Sequence, residues 1–461
     1  MIKGGTGIFV GPGQTEDQIQ PIEAERISTT VTSGALLAYP VDANAIRANF
    51  TNNPNNRSYQ PRAYANEYTL PEKVYSETVS LQQELPGNLA ASIAYVGSQG
   101  RNLFLRSIAN RTVGVQTNGA SAGTQVREFD ILTCANGTVQ NGTSAALTSG
   151  TICPGSSIAS IQRPYAEVDS KTSGGHDSYN SMQLSLTRRS ASGLVLNGQY
   201  TLGYSKGNTG GSNEATTASN NARAIADFDF ENGYNNFDIR HTFNFSALYT
   251  IPGTGLLTGG WSVGGILNGR SGLPINVTMT RPDIVYMDGA GTVFLNPAAD
   301  RTAVVNVPGG GASRATRRPN LISGVDPYIQ NGGLLFINPA AFSTPKPGTF
   351  GNLERNALHG PSFRQMDLVI AKKVPVGGRA NGELRLEVFN IFNQTNFANP
   401  GATLANALPS ASTTEANKVQ PGQALSSATA GGTFGRFSST VGTSVGLGTN
   451  RQIQLGFRLN F

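Results

Sequence analysis

No stretch of the chain is apolar for long enough to cross a bilayer as a helix, which takes about 18 residues or more. That excludes a helical transporter. Charge is scarce too: Asp, Glu, Lys and Arg make up 13% of the 461 residues. Disordered chains combine high net charge with few aromatics, so 21 Phe and 14 Tyr beside this low charge exclude one. The net charge is a mild +6. Nucleic-acid binding would gather Lys and Arg into a patch on a recognisable module, and here they are scattered. Their densest cluster, "RATRRPN" with Arg314, Arg317 and Arg318, reads as a solvated loop; contact with anionic lipid headgroups or sugars is the lesser alternative.

Reactive residues are equally sparse. His176, His241 and His359 are the only histidines and lack metal-ligand spacing such as H-E-x-x-H. Asp238 and His241 in "FDIRH" mark the start of a strand, with no G-x-S-x-G nucleophile to accompany them. In "ADFDFEN", Asp227, Asp229 and Glu231 alternate as calcium ligands can. The Gly and distal Glu of a calcium loop are missing, which favours a solvated loop. The reading is therefore a protein that is not an enzyme, with no catalytic, cofactor-binding or metal-binding set and no cofactor.

What the chain does have is glycine, 56 residues of it, and short segments of strict alternation. The last eleven residues, "RQIQLGFRLNF", put Ile453, Leu455, Phe457, Leu459 and Phe461 on one face and Gln452, Gln454, Gly456, Arg458 and Asn460 on the other. "VYSETVSLQQELPGNLAASIAYVG" sets Tyr75, Val79, Leu81 and Leu85 against Ser76, Thr78, Ser80, Gln82 and Glu84. It turns at Pro86–Asn88 and resumes with Leu89, Ala91, Ile93 and Tyr95. Three more hairpins follow, with turns expected at Ser190–Gly193, Pro252–Gly260 and Pro375–Gly382. In the last of them Leu384, Leu386 and Val388 oppose Glu383, Arg385 and Glu387. Such segments are close to the roughly 9–11 residues a tilted strand needs to span a bilayer. Alternation alone also fits a soluble sandwich.

Connection lengths separate the two. Short turns alternate with long connections, roughly Gly11–Lys73, Ser98–Asn180, Lys206–Asp238, Asn276–Arg364 and Asn393–Asn450. Bacterial outer-membrane barrels have short periplasmic turns and long extracellular loops, whereas a sandwich has no cause to sort its connections. With "KGGTGIFVG" as a first strand the total is about ten, an even number as such barrels prefer. The expected fold is all-β, an antiparallel transmembrane β-barrel across residues 1–461, in the cell outer membrane of a Gram-negative bacterium.

Five stretches carry a resemblance: "NNFDIRHTFNFSALYTIP", "GGWSVGGILNGRSGLPI", "NPAAFSTPKPGTFGNLERNALHGPSFRQMDL", "LRLEVFNIFNQTNFANP" and the terminal "RQIQLGFRLNF". In that order they resemble the C-terminal half of Oar-like, TonB-dependent outer-membrane receptors. The resemblance implies a barrel of about 22 strands, an N-terminal plug, energy supplied by the TonB complex, and uptake or recognition of a large ligand. It also implies that Phe457, Leu459 and Phe461 form the signal read by the barrel-assembly machinery. Lipid of the outer membrane is the remaining expected partner.

Neither a signal peptide nor a plug precedes the first strand, so the chain is read as a C-terminal fragment. Two alternatives stand beside uptake: a structural or passive barrel of about ten strands, and a secreted adhesin-like β-protein. Cys134 and Cys153 fall in the second long connection, where an oxidising exterior favours a disulfide over metal binding, with two free thiols as the alternative.

Overall fold

The computed structural model describes residues 1–11, 28–29, 40, 42–45, 57–58, 62–64, 68, 70–116, 123–142, 152–153, 155–165, 168–211, 228–306, 317–331, 333–377, 380–405, 419–442 and 447–460. Alternating segments become long strands: β1 (Ile2–Val10), β2 (Lys73–Leu85), β3 (Leu89–Ala109), β4 (Val168–Ala191), β5 (Leu194–Gly207), β6 (His241–Thr250), β7 (Trp261–Arg270), β8 (Phe363–Gly377), β9 (Ala380–Phe389) and β10 (Gln452–Asn460). These ten form the main path of one sheet in chain order, each antiparallel to the next. Among the described residues β1 and β10 are the two edges, each with a single neighbour.

Register and sequence alternation together give the sheet one apolar face. Leu81, Ile93, Leu184, Tyr200 and Phe243 lie in one row of direct partners across five strands. On β10, Ile453, Leu455 and Phe457 are 67%, 81% and 66% exposed, an arrangement that water would penalise and lipid rewards. The opposite face carries Ser, Thr, Asn and Gln, with Ser92 and Ser185 joined at 2.6 Å across β3 and β4. Glu383, Arg385 and Glu387 stand on that polar face as a comb, with Arg385 Nε donating to Glu383 at 3.0 Å.

The short turns follow their chemistry. Gly87 (φ 83°) and Asn88 (φ 60°) reverse the chain after Pro86. Between β4 and β5 the reversal needs only Ser192 (φ 54°) and Gly193 (φ 81°), two left-handed residues as in a type I′ hairpin. That is tighter than Ser190–Gly193. Between β8 and β9 the ladder runs on through Pro375↔Asn381 to Gly377↔Ala380, so the strands extend well into the expected Pro375–Gly382 turn.

The largest departure from expectation is the second long connection. β3 and β4 do not stop at Ser98 and Asn180; they stay paired up to Ala109↔Val168. The extension, rich in Gly, Ser and Thr, has no apolar alternation to betray it. Its ladder has irregular register between Thr172 and His176, and Leu103, Phe104 and Leu105 are buried along it, with Lys171 Nζ 5.3 Å from the Phe104 ring centroid. Alternation also failed at Glu77, which lies on the apolar face, where the Tyr95 hydroxyl is 3.1 Å from its Oε1 and donates to Asn180 at 2.7 Å.

Both buried hydrophobic clusters lie in the long connections. The smaller joins Val126, Leu132, Cys134, Ile152 and Cys153 above the β3–β4 pair. The larger draws on both the β7–β8 and β9–β10 connections, packing Ile275, Val277, Ile337, Phe342 and Leu358 against Leu404, Leu425 and Phe434. Phe342 and Phe434 meet edge-on with centroids 5.6 Å apart. The long connections are thus packed into a cap.

Candidate functional site

The cap is fastened to the extracellular end of β5 and to the short segment before β6. Arg318, fully buried, reaches Glu231 Oε2 at 2.5 Å and donates Nε to the Leu353 carbonyl at 2.9 Å. Arg355 donates to the carbonyls of Gly207 at 2.7 Å and Asn208 at 3.0 Å. Burial lowers the Arg355 pKa to about 10, which leaves it charged at neutral pH. Asn356 Nδ2 donates to Tyr234 O and Asn236 Oδ1 at 2.7 and 2.8 Å. His359 Nε2 lies 3.7 Å from Asp238 Oδ2.

These contacts bear on three sequence readings and overturn the solvated reading of Arg317, Arg318 and Glu231. Arg317 and Arg318 are not a solvated cluster: Arg317 pairs with Asp283 at 2.7 Å and Arg318 with Glu231. Glu231 is buried by that pair, while Asp229 is exposed and 3.8 Å from His176, so the two acids do not share a cation-binding role. Asp227 and Arg314 lie outside the described residues. Asp238 and His241 do not face each other either. Asp238 accepts from Ser205 N at 2.6 Å and meets His359, whereas His241 Nδ1 lies 2.8 Å from the Tyr200 hydroxyl. Asp238 precedes β6 and His241 opens it, each engaged by neighbours within the fold. Among the described residues no group of three His, Cys, Asp or Glu is disposed to hold a metal.

Beside the point where Arg355 meets the end of β5, on the polar side of the sheet, is a cleft of about 270 Å³. Its lining includes Glu72, Asp177, Tyr179, Ser205, Asn235 and Phe237. Asp177 projects from β4 above the apolar band, and its Oδ2 accepts from Thr209 Oγ1 at 2.5 Å. Burial raises its pKa, opposed by Thr209, Arg355, Asn235 and His176. Gly207 makes room for this carboxylate, since a Cβ there would fall on Asp177 Oδ1. Phe237 leaves 55% of its surface uncovered. The cleft thus offers acceptor oxygens beside one bare aromatic ring, which suits a ligand bearing hydrogen-bond donors and an apolar face. Sequence reasoning missed Asp177, Phe237 and Arg355, whose partners lie far along the chain. A lone acid on a polar strand face is the only local signal.

The other residues singled out are in separate places. Cys134 and Cys153 form a disulfide, with Cα atoms 5.5 Å apart, inside the smaller loop core. Phe457 and Leu459 project from the apolar face of β10, opposite Leu384 and Gly382; Phe461 lies outside the described residues.

A meandering antiparallel sheet, apolar on one face and polar on the other, with short turns at one end and a packed cap at the other, is the wall of a membrane-spanning β-barrel. A family model described as an outer membrane beta barrel domain matches residues 1–454, and the chain belongs to that family and to the outer membrane. Among solved structures it is similar to the outer membrane transporter YddB from Escherichia coli. The identity is 10% and the TM-score 0.33, over 76% of this chain and 32% of that one. The chain spans about a third of that protein's length. No curated protein matches it.

Proposed function

We propose that the chain is the C-terminal part of an Oar-like, TonB-dependent receptor barrel that recognises and admits a ligand at the cell surface. The observation that carries this reading is a polar cleft beside a fastened cap. Two long connections build a hydrophobic core of their own and are clamped to the end of β5 and the segment before β6 by Arg355 and Arg318–Glu231. A passive pore gains nothing from a fastened extracellular cap, whereas a receptor that binds its ligand outside does. The acceptor-rich lining then selects for hydrogen-bond donors, and no step of chemistry is assigned to it.

The test is uptake in cells. Phe237→Ala and Asp177→Asn, made in the complete receptor, should abolish ligand-dependent accumulation without lowering surface abundance, and accumulation should require the energising complex. Unchanged accumulation in both variants, or accumulation indifferent to the energising complex, would reject the reading. On the same reading the last strand is an assembly address. Replacing Phe461 by a polar residue should then lower the heat-modifiable receptor band in the outer membrane.

A further inference from the structure

Cations at the extracellular ends of the strands follow a positional rule. Lys73 stands two positions before Tyr75 in β2, Lys206 two after Tyr204 in β5, Arg364 two before Met366 in β8, and Arg451 two before Ile453 of β10. Two positions are one strand repeat, so each cation shares the apolar face and lies just past its last apolar residue. Arg101 of β3 is the direct partner of both Lys73 and His176. Arg240, just before β6, holds its guanidinium 4.5 Å from the Tyr204 ring centroid.

Across the sheet these residues do not share one ladder row. Arg364 connects through Gly269, Phe243, Tyr200, Leu184 and Ile93 to Leu81, well below Lys73. A steady descent through the ladder is how a level line crosses tilted strands. The cations therefore form one belt at the outer rim.

Their charge is largely unspent. Among the described residues Lys73, Arg101, Arg364 and Arg451 ion-pair with no carboxylate, and Glu77 is engaged by Tyr95. Lys206 lies 4.0 Å from Glu354, and Arg101 donates to the Gly100 carbonyl and Gln99 Oε1 at 2.8 Å. At the other end of the same face the cations hold turns. Arg188 donates to the Gly87 carbonyl, and Lys372 lies over Trp261 and donates to the Gly259 carbonyl, so both tie down turns.

We infer that the belt docks the phosphate groups of lipid in the outer leaflet. Guanidinium forks match phosphate oxygens, and the height just above the apolar band is where headgroups lie. The belt faces away from the mouth, so a soluble phosphate ester entering the cleft would not meet it.

The test takes the protein from the outer membranes of cells that make it, in the complete polypeptide that carries these residues. After extraction in neutral detergent, bound lipid is counted by mass spectrometry. Phosphorylated lipid should be retained, and Lys73→Gln/Arg101→Gln/Arg364→Gln should cut it roughly tenfold or more, each single change giving part of the loss. Arg385→Gln, on the polar face, should leave it unchanged. Equal retention by the triple variant, equal retention of dephosphorylated lipid, or displacement by millimolar inorganic phosphate would each overturn the inference.

Discussion

At the scale of single residues, two buried charges decide how the mouth is held. Glu231 and Arg318 are buried together, and removing one partner leaves the other charge uncompensated. Breaking such a pair costs about 3–5 kcal/mol, whereas replacing both partners by apolar groups is far milder. Glu231→Gln should therefore loosen the cap over the mouth, read as faster amide exchange at Leu353 and Arg355, and Glu231→Leu/Arg318→Met should restore much of the protection. Asp177 works in the opposite sense. Its folded-state pKa is raised above the ordinary 3.8, so the protonated form is the one the fold favours. That contribution is full in acid below the ordinary value and is lost as pH rises through the folded value. At neutral pH the carboxylate is thus a cost, and Asp177→Asn should slow exchange at Asn208 and Thr209 at pH 7. The difference from the native protein should vanish as pH approaches 3.8, and a difference that persists in acid would rule out this account.

At the scale of elements, the strands were legible because a two-residue repeat leaves its mark in any ten-residue window. Ile453 to Leu459 could be placed with no other information, and the structure places them so. The cap was not legible. Ile275, Val277 and Met279 alternate as a strand would, but the core that buries them includes Leu404, Leu425 and Phe434 from another connection. Arg318 and Glu231 are 87 positions apart, and nothing near either announces the other. The tall extension of β3 and β4 was hidden for a different reason: above the lipid neither face needs to be apolar. The smaller loop core gives an element-scale expectation. Its disulfide spans 19 positions, and closing a loop of that size contributes roughly 3 kcal/mol. Cys134→Ser/Cys153→Ser should make the connection above β3–β4 sensitive to protease while the β5–β10 ladder stays protected. Phe342→Ala, in the larger core, should cost about 3–5 kcal/mol and release the cap as a unit, seen as simultaneous exposure of both long connections to protease.

At the scale of the whole molecule, the edges β1 and β10 govern how the sheet sits in lipid. Each edge strand presents unpaired backbone groups, and in lipid every such group costs several kcal/mol. With ten strands on the path, the two edges run antiparallel and could pair with each other. Size argues against that closure. About eight strands leave an interior just filled by side chains, and a lumen able to hold a plug takes about 22. A ten-stranded closure would leave little passage beneath a cleft of about 270 Å³. On the receptor reading, further strands sit between β1 and β10. Cysteines placed at Gly4 and Leu455, on the apolar face of the two edges, should then fail to cross-link in the complete receptor. Residues 1–461, exported alone behind a signal peptide, should accumulate poorly and show no heat-modifiable band. Efficient Gly4→Cys to Leu455→Cys cross-linking, together with a stable band from the isolated chain, would establish a closed ten-stranded barrel and with it the passive reading.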